Sequence, residues 1–460
     1  MIGIIFLIVY TVVMIVATLI FSKNDGNRDN FYVGNRKMGA VKAAMSIAAT
    51  WIWAPALFTS AQKAYENGIA GLFWFTVPNL LCLLFFIPFT KKIRREMPEG
   101  ITLSGYIYSK YKTKSTRNVY LFALSLLSVL STAVQLLAGG KVMSIATGLP
   151  FPLMTIILAA IAYSYSRISG IQASVITDDL QMAMILGVCA LFVPMALANG
   201  GTIALVKGLG GISGDYTSLF GKKGAEVFFA FGLPTAIGLI SGPFGDQCFW
   251  QRAFCTDEKK LGKAFGLGAL LFAIAPISMG LLGFIAAGSG FIPNSTGTIN
   301  FELITALFPK WAMVPFMAML ISGLLSTVDS HLAAISSLTT DILDHPTEKT
   351  NKASMLILLA LGILIANIPG MSVTQLFLLY GTLRAATLLP TMMTLHGTKL
   401  YGKDITLGVV LSMAIGLPIF AYGNICNLSA YKTAGCLLTV LLSGLVSFCG
   451  AKMRKERTAC

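Results

Sequence analysis

Charge is scarce in this sequence. Only 12% of its 460 residues are Asp, Glu, Lys or Arg, where a water-soluble domain carries about 25%. Too few charges remain to coat a water-facing surface, which leaves soluble domains almost no sequence to occupy. Histidine is rarer still. His331, His345 and His396 form no ligand-spaced cluster, and HExxH, a nucleophile elbow and a phosphate loop are all missing, so the usual signatures of a membrane enzyme are lacking. The eight cysteines include no CxxC pair. Neither a disulfide framework nor a zinc site is indicated, and the cysteines within apolar runs read as small buried hydrophobes. Acidic residues number 19 against 34 basic ones, for a formal charge of +15. This excess does not point to nucleic acid. The basic residues sit in short segments between apolar runs, where they act as topology signals and contact anionic lipid.

Apolar residues are what the chain does have. Hydrophobic side chains make up 55% of it, the mean hydropathy is +0.77, and 45 glycines suit membrane helices that pack closely. Crossing the hydrocarbon core as a helix takes roughly 20 apolar residues. About thirteen runs qualify: 3–21, 40–61, 68–90, 118–145, 151–168, 175–196, 225–246, 262–288, 312–340, 354–370, 376–395, 403–422 and 430–449. They greatly exceed the roughly 10 residues of a barrel strand and do not alternate. The fold class is therefore an all-α polytopic membrane protein. The first run has neither a basic leader nor a small-residue cleavage pattern, and reads as a retained span.

An N-terminus outside and a cytoplasmic C-terminus place 26 of the 34 basic residues, Lys23 among them, on the inner side, as the positive-inside rule requires. The outer segments hold Lys63, Lys207, Lys222, Lys223 and Lys310; Lys141, Arg384 and Lys432 fall within spans or at their edges. Segment 91–117 is too polar to cross. It reads as a cytoplasmic loop with a short interfacial helix whose Tyr106, Tyr108 and Tyr111 rest at headgroup level. Segment 197–224 reads as an external loop with a short helix at 202–209.

Several spans carry features that a plain lipid-facing helix does not need. In 40–61, Pro55 has no backbone N–H and its ring clashes with the preceding turn, so a break is expected at 50–54. Carbonyls released there need partners, which a bound cation supplies; a simple proline kink accounts for Pro55 equally well. In the ninth span, Gly323, Ser326, Thr327 and Ser330 lie three or four residues apart, on one face or turn. Their hydroxyls offer hard oxygen ligands, or else bond back to their own helix. Asp329 and His331 in the same span must face protein, water or an ion. Asp178 in the sixth span is a further functional candidate, whereas Asp179 reads as interfacial. In 241–255, glycines and Pro243 indicate a disrupted inner end of the seventh span, with Asp246 and Arg252 expected as a structural ion pair. Trp51 and Trp53 adjoin the expected break and suit one wall of a solute cavity, with plain packing as the alternative. Gln135 is expected to face the solute, and Lys141 to snorkel outward.

These segments together resemble the sodium:solute symporter family over nearly the whole chain. The resemblance is carried by FYVGNRKMG (31–39), MSIAATWIWAPALF (45–58), SGIQASVITDDLQ (169–181), SGPFGDQCFWQRAF (241–254) and above all LISGLLSTVDSHLAAISSLTTDIL (320–343). It implies a five-plus-five inverted-repeat core, with repeats at 40–196 and 225–395. Segment 1–39 would precede them, the loop 197–224 would join them, and two helices with a tail (396–460) would follow. It also implies Na+ as the bound ion, held by the carbonyls of Ala49, Ile52 and Gly323 and the hydroxyls of Ser326 and Thr327. Asp178, Asp329 and Ser330 would form a second cation site or exit path. The solute would sit by Thr50, Trp51, Trp53 and Gln135.

Local similarity to the urea-transporting branch favours urea or another small amide or amine, and the lack of a recognised deep arginine disfavours acids. The expected function is sodium-coupled symport of a small polar solute across the cell's plasma membrane, with one chain as the functional unit. Its partners would be that solute, sodium and the lipid bilayer, with no nucleic acid. A proton-coupled or uncoupled transporter of the same fold, or a solute-binding membrane sensor, are the alternatives.

Overall fold

A computed structural model describes residues 2–22, 28–198 and 201–459. Lys23 and residues 199–200 of the outer loop lie outside the described residues. The main helices are α1 (Ile2–Phe21), α2 (Ala40–Trp51), the single turn α3 (Ala54–Leu57), α4 (Thr59–Glu96), α5 (Lys114–Thr147), α6 (Phe151–Ser169) and α7 (Ile171–Leu197). The second half contains α8 (Lys222–Ile240), α9 (Gln247–Cys255), α10 (Leu261–Gly288), α11 (Met313–Leu338), α12 (Glu348–Ala366), α13 (Val373–His396), α14 (Gly402–Ile425) and α15 (Ser429–Ala459). Among the described residues the β structure amounts to one parallel bridge, Met38 to Thr256. It joins the approach to α2 with the end of α9.

Among the described residues, twelve helices are long and apolar enough to cross a membrane. The remaining expected crossing, 40–61, is not continuous: α2, α3 and the first turns of α4 share it. α4 then turns a corner at Asn67 (φ −125°, ψ 18°) and Gly68 (φ 54°), and the expected 68–90 span runs on to Glu96. Glycine is required at 68, because a Cβ there would lie 2.5 Å from the Leu209 carbonyl oxygen in a left-handed backbone that side chains disfavour. The short helix Gly201–Lys207, between α7 and α8, leads directly into that contact.

α5, α11 and α13 are mostly buried, while α1 turns Ile5, Ile8, Val12 and Leu19 outward. Such an apolar exterior is stable against lipid tails. The chain is a multi-pass membrane protein. One expectation fails in the polar segment between α4 and α5. The short helix Leu103–Tyr111 forms, but Tyr106 is fully buried and donates to Glu96 at 2.5 Å rather than resting among headgroups. Leu103, Tyr106 and Ile107 occur at i, i+3 and i+4, so they share the face that packs inward. Burial, then the adjacent Glu96 carboxylate, push the Tyr106 phenol above its ordinary range.

Candidate functional site

The break in the second span is set by backbone chemistry. α2 stops at Trp51, Ile52 leaves the helical region (φ −82°, ψ 75°) and Trp53 is extended (φ −96°, ψ 177°) before the Pro55 turn resumes. Pro55 has no N–H for the Trp51 carbonyl. The Ala54 N–H donates to Gln135 Oε1 at 2.7 Å, and the Ala56 N–H donates to the Trp53 carbonyl at 2.9 Å. The carbonyls of Thr50, Trp51 and Ile52 therefore lose their ordinary helical donors. Gln135 is spent on the break itself, since its amide nitrogen also donates to the Ser131 carbonyl at 3.1 Å. Gln135→Leu leaves the buried Ala54 N–H without an acceptor, at a cost of about 1–3 kcal/mol. The expected result is a lower thermal midpoint for the purified protein in detergent; an unchanged melt would show that the cap is dispensable.

α11 presents its hydroxyl face to this break. Thr327 Oγ1 lies 3.0 Å from the Thr50 carbonyl and 3.2 Å from the Gly323 carbonyl. A methyl group at Gly323 would sit 2.8 Å from the Ile52 carbonyl oxygen, so glycine alone permits the approach. Ala49 is buried in the last turn of α2. Carbonyls from two helices and a hydroxyl thus converge in a buried, strand-free junction, the donor type that an alkali cation takes. Ser326 Oγ, on the same face, donates to Asp178 Oδ1 at 2.5 Å.

Behind this junction lies an acidic cluster arranged differently from the sequence expectation. Arg252 does not pair with Asp246. Its guanidinium bonds Asp178 Oδ2 at 2.9 Å, Ser330 Oγ at 2.7 Å, Ser46 Oγ at 2.9 Å and Ser174 Oγ at 3.3 Å, with both charged partners fully buried. Asp246 and Arg252 are six residues apart, and α9 directs them to different faces. Asp329 accepts from Ser174 (2.7 Å), Tyr165 (3.0 Å) and Thr177 (3.1 Å). The Thr50 hydroxyl points the same way, 2.8 Å from Ser330 Oγ.

The other side of the break is aromatic. Trp51 and Trp53 stack at 5.6 Å with 20° between their planes. Contrary to expectation, a deep arginine stands beside them. The Arg384 guanidinium is buried 5.1 and 5.0 Å from the two indole centroids and 3.7 Å from the Tyr380 ring, and it pairs with Asp246. Arg384 Nε and Nη1, Asp246 Oδ1 and Trp53 Nε1 are buried without a protein hydrogen-bond partner. Sequence reasoning passed over Arg384 although its signal was plain, since an ionisable residue inside an apolar span is functional by default. Gly242, where a Cβ would lie 2.3 Å from Trp51 and 3.3 Å from Arg384 Nη1, lets the second broken span close on this compartment. That span is interrupted by the turn Gly242–Gly245 and by Asp246, which is extended (φ −104°, ψ 118°).

Known proteins share this architecture. The chain is 22% identical to the urea-proton symporter DUR3 of Oryza sativa subsp. japonica, over 93% of this chain and 66% of that one. It thus spans just under two thirds of the rice protein's length. It is 26% identical to the sodium/pantothenate symporter of Escherichia coli (strain K12), over 91% of this chain and 89% of the other. A substrate-bound, outward-open Na+-coupled sialic acid symporter superposes with a TM-score of 0.78 at 17% identity, covering 97% of both chains. The fold is the all-α, five-plus-five inverted-repeat type of such symporters. Residues 31–415 match the sodium:solute symporter family model, and the chain belongs to that family.

Proposed function

We propose that this protein is a sodium-coupled symporter that moves a small polar solute by alternating access, and that it is not an enzyme. The observation that carries the reading is the convergence of the freed Thr50 and Ile52 carbonyls with the Gly323 carbonyl and Thr327 hydroxyl. Sodium sits there, on the carbonyls of Ala49, Ile52 and Gly323 and the hydroxyls of Ser326 and Thr327. It binds only when α2 and α11 are together, and so stabilises one arrangement of the bundle over the other. A negative interior adds about 2.3 kcal/mol per charge per 100 mV.

The solute binds beside the break, between Trp51, Trp53 and the Asp246–Arg384 pair, with Thr50 and Gln135 holding the break in shape. That pair is neutral overall, and the Arg384 Nε and Nη1 donors are unused. It suits urea or another small amide, which accepts at its carbonyl and donates from nitrogen; the urea-proton symporter among the similar proteins supports the same class. The chain works as a monomer in the plasma membrane, N-terminus outside and C-terminus cytoplasmic, with its repeats at 40–196 and 225–395.

Uptake of radiolabelled urea into sealed vesicles is the test. An inward sodium gradient is expected to raise the initial rate several-fold over a potassium control, and competing acetamide to reduce it. Uptake indifferent to sodium would sink the reading.

One observation favours proton coupling as a second reading. Of two buried carboxylates in one cluster, Asp178 takes the single guanidinium of Arg252, while Asp329 is held by three hydroxyls. A proton on Asp329 would balance the charge. Uptake driven by an inward proton gradient in sodium-free vesicles would establish it in place of sodium, with Asp178, Asp329 and Ser330 as its path.

A further inference from the structure

A second buried cluster lies where the broken inner end of α8 meets α11. Asp246 stands on the extended link before α9, Cys248 follows two residues later, and His331 comes from α11. One ligand atom from each side chain lies within 4.8 Å of the other two, and all three residues are buried. A second observation points to a ligand. His331 Nδ1 and Asp246 Oδ1 have no hydrogen-bond partner, although orphaned polar atoms at this depth are costly. The Asp246 oxygens are divided between two tasks: Oδ2 takes the Arg384 guanidinium and the Tyr380 hydroxyl, and Oδ1 is left over.

We propose that Asp246, Cys248 and His331 form a site for a soft divalent metal ion of the Zn2+ or Cd2+ class. Thiolate, imidazole and carboxylate form a mixed donor set of the zinc type, and three protein ligands leave the fourth tetrahedral position open. Hard ions that prefer all-oxygen sites are disfavoured by the sulfur and nitrogen. On binding, the Cys248 S–H bond breaks, its proton leaves to solvent and a sulfur–metal bond forms. The sequence shows no metal-ligand spacing because His331 lies far along the chain from Asp246 and Cys248, and only the packing of α9 against α11 brings them together. A metal bound here links the interrupted end of one broken span to the helix that carries the Ser326 and Thr327 hydroxyls. The proposal does not depend on the transport reading.

The test uses the full chain, purified in detergent, with the exposed Cys426 and Cys449, and Cys460, changed to serine so that other thiols do not compete. Titration with Cd2+ is expected to produce a thiolate-to-cadmium absorbance band saturating at one ion per chain, and Zn2+ to displace it and raise the thermal midpoint. Cys248→Ser is expected to abolish the band. His331→Gln keeps the thiol and is expected to weaken Cd2+ by at least roughly 100-fold, because losing a direct ligand costs more than the roughly 10–100-fold that an outer partner is worth. A wild-type-site chain without a one-to-one band overturns the proposal, as does a band of full strength in Cys248→Ser. If Cys248→Ser fails to elute as a single folded species, His331→Gln decides: unchanged Cd2+ affinity there overturns it.

Discussion

Thr327→Ala is expected to raise the sodium concentration for half-maximal solute uptake by about 10- to 100-fold, or about 1.4–2.8 kcal/mol of ion affinity. Its hydroxyl is within hydrogen-bonding distance of carbonyls on both sides of the junction, Thr50 on α2 and Gly323 on its own helix. No other side chain described here touches both. It bridges the two helices, and in the proposed sodium site its oxygen would turn to the ion, so its loss would remove a ligand and a tether together. Thr327→Ser keeps the oxygen and is expected to stay within about threefold of the parent. Initial uptake rates against sodium concentration, with sodium-22 binding to purified protein, measure both variants. Equal sodium dependence in Thr327→Ala and the parent would place the ion elsewhere. Ser326→Ala is harder to interpret, because its hydroxyl donates to Asp178 and its removal disturbs the acidic cluster as well.

The second large effect is on stability. Arg252 and Asp178 are both fully buried and 2.9 Å apart. Removing one partner leaves an uncompensated charge in a low-dielectric interior, which costs about 3–5 kcal/mol. Arg252→Met is therefore expected to shift heat-induced loss of monodisperse protein to markedly lower temperature. Asp178→Asn, which strands the guanidinium, is expected to do the same. The double variant Arg252→Met/Asp178→Asn removes both charges and is expected to recover much of the loss, a coupling that independent sites do not show. Size-exclusion profiles after graded heating give the comparison. Additive losses in the double variant would mean that the two charges are balanced by other groups, Asp329 foremost.

The spans were legible because membrane helices leave a one-dimensional trace: each must be about 20 apolar residues long, whatever it packs against. The break was legible for a similarly local reason. Pro55 lacks a donor that a helix needs, and Ile52 and Trp53 leave the helix just before it. The hydroxyl face of α11 followed from 3.6-residue periodicity, and the family resemblance tied it to the break.

The partners of the charges were not legible. Asp246 and Arg252 are close in sequence, which suggested a pair, yet each takes a partner from a distant helix: Arg384 of α13 for one, Asp178 of α7 for the other. Gln135 likewise reads as a solute contact from its isolation in an apolar span, but the unpaired Ala54 N–H, a consequence of the break, claims it.

By itself the sequence determined the membrane class, where most of the crossings run, where the second span must break and which face of α11 carries the hydroxyls, since each depends on residues within a few turns of one another. Tertiary structure decided which buried charges neutralise each other, what caps the broken span and which side chains line the aromatic compartment. Those outcomes depend on desolvation and geometry between segments hundreds of residues apart, where burial makes an unpaired charge costly and only the packed bundle determines which opposite charge is near.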